Sequence, residues 1–106
     1  MENLTQLEWK EGISNDTDSV IIDVRTKEEC LHGMIENAIH LDICDMENFI
    51  SEVEKLDKSK KYFLYCMAGG RSGSACRIME NLGFENTYNL NGGISCWTGN
   101  TVDYAQ

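Results

Sequence analysis

Proline is absent from the 106 residues. With no repeat and no low-complexity stretch either, nothing marks a linker. The chain therefore reads as one domain over residues 1–106, long enough to bury a core without metal or disulfide staples. No apolar run approaches the roughly 18 residues that span a bilayer. The start, Met1-Glu2-Asn3-Leu4, has neither the basic region nor the apolar core of a signal peptide. The expected location is the cytoplasm, with no membrane partner. Basic residues are scarce, nine Lys and Arg against eighteen Asp and Glu, for a formal charge of −9. Such a surface repels phosphate backbones, which excludes nucleic acid as an expected partner. The five cysteines, Cys30, Cys44, Cys66, Cys76 and Cys96, form an odd set with no CxxC pair. They read as reduced thiols. His32 and His40 have no paired cysteines near them, so no metal site is expected.

What is present alternates between strand and helix. Thr5-Gln6-Leu7-Glu8 is a capping box that predicts a helix from near Gln6 to Ser14. Val20-Ile21-Ile22-Asp23-Val24 reads as a buried strand. Thr26-Lys27-Glu28-Glu29 repeats the box and opens a short helix that Gly33 stops. Ala38-Ile39-His40-Leu41 is a weaker strand. Asp45 caps a helix whose apolar face is Met46, Phe49, Ile50, Val53 and Leu56. Tyr62-Phe63-Leu64-Tyr65 is a strand, Ala75, Ile78, Met79 and Leu82 a helical stripe, and Thr87-Tyr88-Asn89-Leu90 a last strand. A short helical turn through Trp97 follows Asn91-Gly92-Gly93. Apolar runs in this order call for an α/β domain, a parallel sheet covered on both faces, with the active site at the carboxyl ends of the strands.

Cys66 falls at such an end. It closes the run at 62–65 and opens the loop Cys66-Met67-Ala68-Gly69-Gly70-Arg71-Ser72. A glycine-rich loop leading into a helix N-terminus forms an anion nest of N–H groups, and the helix dipole adds to it. A thiol placed there ionises easily. Gly69 and Gly70 permit the tight turn and close backbone approach.

Three stretches carry a resemblance. Val20-Ile21-Ile22-Asp23-Val24-Arg25 leads through Glu29 to Gly33-Met34-Ile35-Glu36-Asn37-Ala38-Ile39. Next comes the loop from Tyr65-Cys66 to Arg71-Ser72. Leu82-Gly83-Phe84 then leads through Asn89-Leu90 to Gly92-Gly93-Ile94 and Trp97. Together, over residues 19–98, they resemble the single-domain rhodaneses, the thiosulfate sulfurtransferase family. The resemblance implies a three-layer α/β/α domain with a five-stranded parallel sheet. It implies Cys66 as the sulfur-carrying nucleophile, Met67, Ala68, Gly69, Gly70, Arg71 and Ser72 as its binding loop, and no cofactor. The chain departs from the family pattern at Cys30, commonly aromatic, at Met34, commonly histidine, and at Glu36-Asn37, commonly Pro-Gly. Met67 stands where the family often has a polar or cationic residue, which leaves Arg71 as the loop's one charged group.

The expected reaction takes sulfur from a small sulfur-containing anion such as thiosulfate, or from a protein persulfide, and passes it to cyanide, a thiol or a protein. The cell-cycle dual-specificity phosphatases share the fold but have a longer loop, and the four residues between Cys66 and Arg71 suit a single sulfur atom. A non-catalytic interaction module on the same fold and a phosphatase or arsenate reductase are the alternatives. Arg71 serves either as a substrate contact or as a brace for the loop. Asp23 and Arg25 support the site, as a buried ion pair or a loop tether ahead of direct catalysis. Glu29 faces the pocket mouth or caps its helix. Cys76 belongs to the core, while Cys30, Cys44 and, ahead of them, Cys96 are candidates to resolve a persulfide into a disulfide. His32 and His40 are read as solvated, Trp9 and Trp97 as packing residues, and Glu47, Glu52 and Glu54 as a solvated helix face.

Overall fold

Side chains of successive strand residues point to opposite faces, and both faces of the central strands here are apolar. A computed structural model describes residues 1–104. Its elements run β1 (Glu2–Leu4), α1 (Gln6–Ser14), β2 (Val20–Asp23), α2 (Lys27–Cys30), β3 (Met34–Ile35), β4 (Ala38–His40), α3 (Met46–Val53), β5 (Lys61–Tyr65), α4 (Gly70–Asn81), β6 (Asn86–Leu90), a 3-10 turn (Ile94–Cys96) and β7 (Thr101–Val102). Five strands form one sheet in the order β1-β6-β5-β2-β4, every pair parallel. This is the five-stranded parallel sheet expected from the resemblance.

Alternation divides the core in two. Ile22, Tyr62 and Leu64 face α3 and α4, meeting Phe49, Val53, Ala75, Cys76 and Met79. Ile21, Phe63 and Tyr65 face the other way, onto Trp9 of α1 and the Ile35 and Trp97 segments. The result is three layers, α/β/α. Trp9 is the keystone of the second core. It is fully buried, with edge contacts to Phe63, Tyr65 and Trp97. Among the described residues, no helix is long and apolar enough to cross a membrane.

Local signals fixed most elements. Thr5 and Glu8 close a complete capping box on α1, and Thr26 and Glu29 close another on α2. Asp45 caps α3. Three features differ from the sequence reading. The edge strand β1 is new; it pairs Glu2, Asn3 and Leu4 with Tyr88, Asn89 and Leu90. So is a small antiparallel pair, Met34 with Val102 and Ile35 with Thr101. Helix α4 also begins at Gly70, so Arg71 and Ser72 belong to its first turn and not to a loop.

Gly12 of α1 rests on the Phe63 ring. A Cβ there would lie 2.7 Å from Phe63 Cε2. The ring has no room to retreat, because it stacks on Tyr88 with centroids 4.7 Å apart and abuts Trp9. Gly→Ala inside a helix ordinarily stabilises by about 0.5–1 kcal/mol. Gly12→Ala is expected to do the reverse, costing about 1–3 kcal/mol, read as a lower urea midpoint. An unchanged or higher midpoint would contradict this packing.

Candidate active site

Because the strands are parallel, the segments leaving β2, β4 and β5 emerge along one edge of the sheet. Cys66 directly follows β5 and is 2% exposed. Its sulfur lies among polar groups. The Gly69 amide donates to Sγ at 3.0 Å, and Ser72 Oγ lies 3.3 Å away. Gly69 makes this possible with φ +111 as the residue capping α4, a left-handed conformation that side chains resist. Burial is the largest single influence on the thiol and opposes ionisation. The Ser72 hydroxyl and the amides of Ser72, Gly69 and Ala68 together outweigh it, so the pKa falls below that of an ordinary thiol.

Ser72 has one hydroxyl proton and three acceptors in reach: Cys66 Sγ, Gly69 O at 3.3 Å and Asn89 Oδ1 at 2.5 Å. Asn89 is itself oriented, since its Nδ2 donates to Gly69 O at 3.0 Å and to Asn3 Oδ1 at 2.9 Å. These three acceptors compete for the single Ser72 proton. With a thiolate it turns to the sulfur, where a charged acceptor draws it more strongly.

From outside, the 3-10 turn holds the loop. The amides of Ile94 and Ser95 donate to the carbonyls of Cys66 and Met67, at 3.0 and 3.1 Å. Gly93, with φ +62, makes the approach possible. A Cβ there would sit 2.5 Å from Met67 O and 2.6 Å from Cys66 O.

Arg71 binds Glu29 and remains within electrostatic range of Cys66. The pair is bidentate, Nη1 to Oε1 at 2.7 Å and Nη2 to Oε2 at 2.8 Å. Glu29 also accepts from the Thr26 amide and hydroxyl, each at 3.1 Å. The Arg71 bonds first, and those of Thr26 after them, hold the Glu29 carboxyl down to about 2, and Arg71 is raised in return. Of the two roles open to Arg71, the geometry is that of a brace. Glu29 caps its helix and also reaches the loop.

Asp23 and Arg25 form the buried pair expected of them, Nη2 to Oδ2 at 2.7 Å. Their other bonds run to scaffold: Tyr65 Oη donates to Asp23 at 2.6 Å, and Arg25 Nη2 donates to Gly33 O at 2.8 Å. Cys30 is fully buried against Asp23, and burial first, then that carboxylate's charge, pushes its thiol up to about 12. Burial and the raised thiol both make Cys30 a poor resolving thiol. Cys76 is core, as expected, and burial pushes it to about 12 as well. Cys44 and Cys96 are exposed. His40 is not solvated: its ring nitrogens meet Arg25 O at 2.6 Å and Tyr104 Oη at 3.1 Å. His32 is exposed, as read. Asn89 was missed, although a polar residue inside Thr87-Tyr88-Asn89-Leu90 was a signal that could have found it. Among the described residues no cluster of His, Cys, Asp and Glu could hold a metal ion.

Replacing Ser72 by Ala removes one donor to the thiolate, a bond to a charged group worth about 1.5–3 kcal/mol. The Cys66 pKa is expected to rise, since the largest of the bonds that lower it is lost. The rate of Cys66 alkylation across pH, followed by peptide mass, measures it. An unshifted profile would show that the hydroxyl does not reach the sulfur.

Residues 5–100 match the family described as Rhodanese-like domain. A Bacillus subtilis (strain 168) protein named as a sulfurtransferase, YtwF, is 39% identical over 92 residues, covering 87% of this chain and 85% of its own. Thiosulfate sulfurtransferase GlpE of Coxiella burnetii is 35% identical over 80 residues, 76% of this chain and 72% of GlpE. The tRNA uridine(34) hydroxylase of Cytophaga hutchinsonii is 34% identical over 95 residues, but the match spans only 30% of that longer protein. Among solved structures, a rhodanese-like domain protein from Staphylococcus aureus superposes with a TM-score of 0.83 at 26% identity, covering 99% of this chain and all of that one. With its parallel sheet, its cysteine at the end of β5 and these matches, the chain belongs to the rhodanese-like domain family.

Proposed function

We propose that this rhodanese-like domain is a sulfurtransferase that carries sulfane sulfur as a persulfide on Cys66. The observation that carries this reading is the ring of donors around Sγ: the Gly69 amide at 3.0 Å, the Ser72 hydroxyl at 3.3 Å, and the Ala68 and Ser72 amides that also favour the thiolate. Relatives named as sulfurtransferases support the same chemistry. In the first half-reaction the thiolate attacks the outer sulfur of a donor, and the donor's sulfur–sulfur bond breaks. Thiosulfate would release sulfite, and a persulfide would release its parent thiolate. Cys66 is left as a persulfide, whose terminal sulfur the loop amides stabilise. In the second half-reaction cyanide, a small thiol or a protein thiol attacks that terminal sulfur and Cys66 leaves as the thiolate. This is covalent, two-step catalysis with ping-pong kinetics.

Each residue has a part in this scheme. Gly69 and Gly93 let backbone approach where a side chain would block it. Arg71 and Glu29 brace the first turn of α4, and Asp23 and Arg25 anchor the segment that carries Glu29. The donors around Sγ lower the Cys66 pKa and so lessen the need for a separate base.

Protein treated with thiosulfate or with cysteine persulfide and then desalted is expected to gain one sulfur atom at Cys66. Cys66→Ser is expected to gain none and to lose sulfur transfer altogether. If wild-type Cys66 keeps its mass with both donors, or if an aryl phosphate is turned over and neither sulfur donor is, the reading fails.

A further inference from the structure

Beyond the backbone amides, a sulfur dianion is drawn most strongly by a free cation, and the one cation of this segment is already paired. Arg71 is the only charged residue of the Cys66–Ser72 segment, and both of its terminal nitrogens are bonded to Glu29. The carboxylate is held in place by the Thr26 amide and hydroxyl, so it is part of a built cap and not a passing contact. A donor at the loop meets the backbone amides and an Arg71 charge that Glu29 offsets.

Beyond that pair the rim is acidic and partly apolar. Residues 41–47, which leave β4 at the same edge as Cys66 and open α3, contain Asp42, Asp45 and Glu47 and no lysine or arginine. The amide of Ile43 in this stretch donates to Val24 O at 3.1 Å, tying it beside the end of β2. The following Cys44 lies within electrostatic range of Arg71. Three large apolar side chains stand out of these segments. Met67 follows Cys66 and is 39% exposed, Met46 opens α3 at 42%, and Leu31 lies just past Glu29 at 58%. The whole chain carries −9. A free sulfur dianion is repelled by such an edge, while a positively charged polypeptide is attracted to it and has apolar surface to cover.

We infer that the sulfur donor is a cysteine persulfide carried on a basic polypeptide, and that Glu29 is the specificity determinant that turns the loop away from dianions by occupying Arg71. The inference rests on the sulfurtransferase reading of Cys66. In the transfer, the Cys66 thiolate attacks the terminal sulfur of the donor's S–S–H group. The donor's S–S bond breaks, the partner cysteine departs as a thiolate and takes the proton from the transferred sulfur, and Cys66 retains that sulfur as a persulfide anion. The charge is −1 on each side, and no outside oxidant or reductant is consumed. Glu29 acts through Arg71 and touches no reacting atom, which makes it a positioning residue.

Three donors test this with the whole chain: a lysine-rich peptide bearing one cysteine persulfide, a glutamate-rich peptide bearing the same group, and thiosulfate. Transfer is followed by the mass of Cys66 and by initial rates. For the unaltered protein, kcat/KM for the lysine-rich donor is expected to exceed that for the glutamate-rich donor by about tenfold or more at low salt, with the gap closing as salt is raised. Thiosulfate is expected to be the poorest of the three. Glu29→Gln, which keeps an oxygen for the Thr26 amide, is expected to lower KM for thiosulfate several-fold without improving the lysine-rich donor. A merely structural role would move both donors the same way. Equal rates for the two peptides, thiosulfate as the best donor, or a Gln variant with unchanged preference would overturn the inference while leaving Cys66 a sulfur carrier. Loading by none of the three would sink the sulfurtransferase reading and this one with it.

Discussion

Everything in this site depends on the contest between burial and hydrogen bonding at one sulfur atom. Cys66 is almost wholly removed from solvent, which by itself disfavours a thiolate, and at Cys30 and Cys76 burial is the largest influence and prevails: both thiols are pushed up to about 12. Cys66 escapes because amides of its own loop and the Ser72 hydroxyl point at it. Three buried cysteines in one chain thus differ through the donors and charges aimed at them. The sheet supplies that direction, since a parallel strand ending at Tyr65 must hand its chain to a helix, and the helix starts with free N–H groups.

The second layer of support is less visible and just as necessary. The loop is gripped from two sides. From α2, Glu29 takes Arg71 in a bidentate pair, and from the 3-10 turn the amides of Ile94 and Ser95 take the carbonyls of Cys66 and Met67. Beneath α2, Asp23, Arg25, Tyr65 and Gly33 form a buried network that positions the segment bearing Glu29. A buried ion pair of this kind adds little net stability, and its value lies in fixing geometry. Preorganised donors need no rearrangement when charge arrives, which is the usual source of electrostatic catalysis.

How much of this was legible in the sequence follows from the range of the signals. The capping boxes at Thr5 and Thr26, the apolar stripe of α3 and the run at 62–65 are local patterns, and each became the element it predicted. Cys66 and its glycine-rich loop were legible for the same reason. The edge strand β1 was not, because three mostly exposed residues carry no alternation and only pairing with β6 makes them a strand. The partner of Arg71 was not either: Glu29 lies 42 positions away, and its local role in the cap explained it without any such contact. Asn89 and His40 failed likewise, since their bonds to Ser72 and Tyr104 join distant segments. What sequence missed are the long-range polar contacts that aim the site.

The grip of Ile94 and Ser95 on two successive carbonyls also limits what the scaffold could become. Inserting a residue directly after Cys66 to enlarge the cradle would slide Met67 out of register with Ser95, or drag Gly93 onto the displaced backbone, where it has no clearance to give. Either way about 0.5–1.5 kcal/mol is forfeited for each bond broken. A cradle widened at that junction would therefore need the segment behind it rebuilt at the same time.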